Sequence, residues 1–130
     1  MKAVVYREYA PDDNYKRILK VEDISDPKPK PNEVVFKVKS TALNYNDIWG
    51  MRGVPVAVPL PHVSGSDAAG DVIAVGEDVV DIKVGDRVVS HSNMSCRVCK
   101  ACTDGREFDC TRRTIWGFQT GPTWGAYQEI

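Results

Sequence analysis

The sequence predicts a mainly β, barrel-like domain with short helices, on three observations. Short runs of alternating or clustered β-branched residues recur along the chain, Gly, Asp and Pro turn signals separate them, and a single segment reads as a helix. Residues 2–6 (KAVVY), 19–24 (LKVEDI) and 33–43 (EVVFKVKSTAL) place apolar side chains as strands do. Pro27, Pro29 and Pro31 make an extended lead-in to the third run, because each proline fixes its own φ and restrains the residue before it. Residues 44–51 (NYNDIWGM) carry the helix signal, with Asn and Asp at the start and Gly53 as the stop. Residues 70–76 (GDVIAVG) and 86–90 (DRVVS) are further strands joined through turns, and residues 125–130 (GAYQEI) alternate once more.

The bulk properties exclude several functions. At 130 residues the chain is the size of one domain, able to bury a core without staples. Its apolar runs are too short to span a bilayer, and MKAVVYREY is too short for a secretory signal. With 17 basic and 18 acidic residues, there is no electrostatic footprint for nucleic acid or an anionic membrane. A cytoplasmic address is the expectation, and reduced thiols there favour a metal over disulfides.

All four cysteines lie in CRVCKACTDGREFDC, where Cys96, Cys99, Cys102 and Cys110 form a C-x2-C-x2-C-x7-C pattern. Two-residue spacers let a tight turn aim successive sulfurs at one point, and four soft thiolates suit zinc in a closed, structural site over 96–110. An iron–sulfur cluster is an alternative, but the bacterial ferredoxin run has a shorter last spacer and a following proline. Four thiolates on a divalent ion leave a net negative charge, which Arg97, Lys100, Arg106, Arg112 and Arg113 are close enough in sequence to offset.

The segment VSGSDAAGDVIAVGEDVVDIKVGDRVV, followed by the cysteine lobe, resembles the N-terminal GroES-like domain of medium-chain dehydrogenases/reductases. The resemblance runs through EVVFKVKSTALNYNDIW, GSDAAG, VGDRV, the four cysteines and WGAYQEI in order, and so covers residues 1–130. It implies a partly open GroES-like β-barrel carrying the substrate side of an active site, here without the Rossmann domain that would hold NADP(H) or NAD(H). In the zinc alcohol dehydrogenases of this superfamily a cysteine stands where this chain has Asn44, and a His-Glu pair where it has Ser66-Asp67. Neither Asn nor Ser suits a catalytic zinc. The resemblance therefore points to the branch that reduces activated C=C bonds without a catalytic metal.

Within that branch ALNYNDIW, HVSGSDAAG and IWGFQTGPTWGAYQEI resemble the crotonyl-CoA carboxylase/reductases and related enoyl-CoA reductases. There an asparagine from the NYN segment and a glutamate after a WGY run help hold carbon dioxide. Asn44 or Asn46 fits the first role, while Gln119 stands at the second, so reduction without carboxylation is expected. Asn44, Asn46 and Gln119 are then the candidate catalytic residues, with Cys96, Cys99, Cys102 and Cys110 as metal ligands. The expected partners are an acyl-CoA or enone substrate and further copies of the enzyme. Two other readings stay open: a quinone/enone reductase or alcohol dehydrogenase-like enzyme, and a stand-alone zinc-binding interaction module. Asn44, Asn46 and Asp47 read equally well as helix caps, Trp49 and Phe118 as core, and His62 as a packed residue.

Overall fold

The computed structural model describes residues 1–120 and 125–130. Alternation along residues 2–6 becomes β1 (Lys2–Val5), which buries Ala3 and Val5. It pairs antiparallel with β2 (Lys20–Asp23), which follows a single helical turn, α1 (Tyr15–Ile18). The long third run is β3 (Val34–Ala42), antiparallel to β4 (Asp67–Val75), which pairs in turn with β5 (Arg87–Val89). β4 begins three residues before its sequence signal, because β3 is long enough to pair with Asp67, Ala68 and Ala69 as well. Two register shifts bend β3, and at Gly70 the strands approach so closely that an added Cβ would sit 2.1 Å from the Lys37 carbonyl oxygen. Gly70→Ala should therefore destabilise the domain by about 3 kcal/mol, read as a lowered urea midpoint.

The sheets are open, and one expectation fails. Residues 125–130 form no strand; a single bridge pairs Ala3 with Gln128. The segment nevertheless joins two sheets. Val4 N–H donates to Tyr127 O and Glu129 N–H to Lys2 O, while Val38 N–H donates to Glu129 O at 3.0 Å. A segment that bonds to β1 on one side and whose backbone meets β3 at Val38 alone among the described residues lacks the repeated ladder a strand needs. Residues 121–124, within the expected IWGFQTGPTWGAYQEI run, lie outside the described residues.

The helix signal at NYNDIWGM becomes α2 (Tyr45–Arg52), capped by Asn44 and ended by Gly53 in the left-handed conformation at φ 74°. Met51 buries this helix in a core with Tyr6, Ala10, Ile18, Val58 and Phe118. A second cluster joins Ala3, Val5 and Val63. Phe118 is core as expected; Trp49 is not, being 40% exposed and edge-on to Tyr45. At the far end of α2, Arg52 makes a two-pronged contact with Asp13 at 2.6 and 2.7 Å. That hydrogen bonding, with a second from Tyr15, lowers the Asp13 pKa to about 2. A carboxylate depressed in the folded state stabilises above its unfolded value, and the benefit fades as pH falls toward the folded one. The Asp13 carboxyl carbon should thus titrate near pH 2 by NMR, and Arg52→Ala should raise it toward the ordinary carboxylate range, with the Tyr15 bond still holding it down.

Candidate active site and metal centre

The cysteine lobe hangs from a two-residue hairpin, β6 (Asn93–Met94) paired with β7 (Thr114–Ile115). Arg97 turns the chain through φ 60°, α3 (Lys100–Thr103) carries Cys102, and a 3-10 turn (Glu107–Asp109) delivers Cys110. Among the described residues these four cysteines are the only cluster able to hold a metal, and their sulfurs all lie within 4.8 Å of one another. Sγ of Cys102 is 3.4 Å from that of Cys99 and 3.9 Å from that of Cys96. Four sulfurs around a tetrahedral zinc lie roughly 3.8 Å apart, so the donor set fits the ion in number, chemistry and spacing. The Cys96 N–H points at Cys110 Sγ at 3.4 Å, a contact suited to a thiolate.

Three of the lobe's basic residues make contacts within it. Lys100 pairs with Asp104, Arg106 with Asp109 and Asp104, and Arg113 donates to Phe108 O while lying 4.6 Å over the Phe108 ring. Held in this way, Lys100, Arg106 and Arg113 brace the lobe's loops.

Away from the lobe, Asn44, Asn46, Ser66 and Asp67 come together. Asn44 donates its side-chain amide to Asp67 Oδ2 at 2.8 Å, and Asn46 donates to Ser66 Oγ at 2.9 Å. Ser66 is buried, and Asn46 Oδ1 is a buried acceptor without a partner. These four side chains link the first turn of α2 to the start of β4. Asn44 is both things the sequence suggested, the cap of α2 and a member of this cluster. Gln119 is exposed, and its Oε1 accepts the Ile115 N–H at 3.1 Å. No hydrogen bond joins it to Asn44 or Asn46 among the described residues.

His62 is a packed residue, 2% exposed, with Nδ1 facing Pro59 O and Nε2 facing Gly117 O at 3.2 and 3.1 Å. Burial lowers its pKa. His91 is exposed. The residue that sequence reading undervalued is Asp47, 4% exposed and a three-fold acceptor. Its place three residues after the Asn44 cap is capping-box spacing, which was the available signal.

A cavity of about 680 Å³ beside α2 is lined by Val4, Val38, Asn44, Asp47, Ile48, Met51 and Tyr127. Asn46, Ser66 and Gln119 do not line it. No helix among the described residues is long and apolar enough to cross a membrane.

Open antiparallel sheets, a capped helix against β4 and a four-cysteine lobe on a hairpin define a GroES-like domain of the medium-chain dehydrogenase/reductase type. The family profile "Alcohol dehydrogenase GroES-like domain" matches residues 30–130, and the chain belongs to that family. It is 37% identical over 108 residues to the crotonyl-CoA carboxylase/reductase of Cereibacter sphaeroides, covering 78% of this chain and 25% of that protein. It is 34% identical over 113 residues to the acryloyl-coenzyme A reductase of Metallosphaera sedula, covering 87% of this chain and 32% of that protein. A solved NAD-dependent alcohol dehydrogenase superposes with a TM-score of 0.87 at 39% identity, over 99% of this chain and 36% of its own. The chain thus spans a quarter to a third of the length of the curated relatives it matches.

Proposed function

We propose that this chain is the substrate-side domain of an NAD(P)H-dependent oxidoreductase that reduces an activated C=C bond, an enoyl-CoA thioester above all, without a catalytic metal. The observation that carries this reading is the pair of amide contacts, Asn44 to Asp67 and Asn46 to Ser66, since Asn44, Ser66 and Asp67 stand where the zinc alcohol dehydrogenases that the chain resembles carry a cysteine and a His-Glu pair. Amides and a hydroxyl are poor zinc donors, and here one amide already donates to the Asp67 carboxylate and the other to the Ser66 hydroxyl. The likeness to crotonyl-CoA carboxylase/reductase and acryloyl-coenzyme A reductase supports the substrate class.

A nicotinamide cofactor held elsewhere in the whole enzyme would supply the hydride. The chain has no G-x-G-x-x-G loop, and no step is assigned to cofactor contacts within it. What it contributes is a polar face on which Asn44 and Asn46 orient the thioester and stabilise charge developing on its oxygen. Zinc in the 96–110 lobe would hold that lobe's shape; with four thiolates it has no open position for a substrate. The enzyme is expected to be cytoplasmic and to act as a homo-oligomer.

The test is reduction of crotonyl-CoA by the full-length enzyme in the presence of labelled bicarbonate. Gln119 in place of a carboxylate predicts reduced product with little label, and stoichiometric labelling would overturn that assignment. A second reading, alcohol dehydrogenase chemistry, is favoured by the 39% identity to an NAD-dependent alcohol dehydrogenase. It requires a second zinc near Asn44 and Ser66, so metal content separates the two: about one zinc per chain for the first, about two for the second.

A further inference from the structure

Asp47 is a buried carboxylate that the proposed chemistry leaves unused. Its Oδ1 accepts the Gly65 N–H at 3.1 Å, and its Oδ2 accepts the Asn44 N–H at 2.8 Å and the Tyr127 hydroxyl at 2.6 Å. The three donors belong to three segments: the turn into α2, the turn into β4, and the closing segment. Helix capping explains the bond to Asn44 but neither of the others.

Those segments carry the candidate site. Gly65 directly precedes Ser66 and Asp67, and Asn44 lies two residues before Asn46, so one acceptor holds both sides of the amide contacts. Gly65 has little room to move. At φ 106° a Cβ there would meet the Ala126 nitrogen at 2.9 Å, so this turn is packed against the closing segment. Tyr127 in turn reaches the Ala42 carbonyl at 3.1 Å, at the end of β3. Burial first, and then its bond to Asp47, raises the Tyr127 pKa, which keeps the phenol a donor at neutral pH.

We propose that Asp47 is a positioning residue, whose carboxylate sets the spacing between the Asn44–Asn46 turn and the Gly65–Asp67 turn and links that spacing to the closing segment through Tyr127. The functional half of this proposal rests on Asn44 and Asn46 acting at the reacting centre. In this proposal Asp47 acts through the two turns it holds. Its effect is geometric, and displacement of catalytic groups by about 1 Å costs about 100-fold in rate.

The experiment uses Asp47→Asn, which keeps the shape but offers one acceptor oxygen in place of two, and Tyr127→Phe, which removes one bond and leaves both backbone bonds. In the labelled 130-residue chain both variants should move the side-chain amide resonances of Asn44 and Asn46, and Asp47→Asn should speed Gly65 amide exchange. In the full-length enzyme Asp47→Asn should lower kcat about 100-fold with KM within about threefold, a split that a purely structural role would not give. Tyr127→Phe should move kcat in the same direction by less. Unchanged Asn44 and Asn46 resonances in either folded variant would overturn the proposal, and Tyr127→Phe keeps it testable if Asp47→Asn does not fold. Shifted resonances in a protein whose wild type reduces no enoyl-CoA would uphold the positioning and overturn the substrate reading instead.

Discussion

Replacing Cys99 by serine is expected to remove the metal from the 96–110 lobe and unfold it while the β1–β5 framework stands. The lobe has almost no core of its own. Cys102 and Cys110 are its buried residues, whereas Val98 and Phe108 are 70% and 75% exposed. Its helical content is one turn of α3 and one 3-10 turn, too little to persist alone. Surface ion pairs such as Lys100–Asp104 contribute at most about 1 kcal/mol each. Metal binding must then supply the lobe's folding energy, on the order of 10 kcal/mol for a structural zinc in a small peptide. Elemental analysis should fall from about one zinc per chain to near zero. Amide exchange over residues 96–110 should accelerate far more than in β3 and β4. A variant that kept its zinc and its protection would show that the lobe is held by something else.

The second large effect concerns the isolated chain, which should turn over crotonyl-CoA with NADPH or NADH at least about 10⁵-fold more slowly than the full-length enzyme. Hydride transfer requires donor and acceptor carbons held roughly 3–3.5 Å apart, and most of the acceleration is positional. On the proposed reading the chain supplies the amide-lined side of such a cleft, and its sequence holds no G-x-G-x-x-G phosphate-binding loop. Titration of each nucleotide, followed by nicotinamide fluorescence, should show no saturation at micromolar concentration. Tight binding or steady turnover would defeat the proposed division of labour and favour an independent role for the domain.

Signals that are local in the chain were legible in it. Lys2–Val5, Lys20–Asp23 and Arg87–Val89 form within the runs that alternation marked, and α2 lies between the cap and the glycine that the sequence offers. The cysteine set was legible for the same reason, since short spacers hold its sulfurs close whatever the rest of the fold does. Resemblance of ordered motifs then supplied the family.

What tertiary structure decided depends on partners distant in sequence. Residues 125–130 alternate like a strand, yet they meet β1 and β3 at different points and keep only one bridge. The pairing of Lys100 with Asp104 and of Arg106 with Asp109 exists only once the lobe has folded. Trp49 stands in an apolar-looking helix whose buried face is set by Met51 instead. Asn44 and Asn46 could be proposed from sequence, but their contacts with Asp67 and Ser66 span 23 and 20 residues. Asp47 read as a cap because capping is local; its bond to Tyr127, 80 residues away, exists only once β1, α2 and the closing segment have packed together.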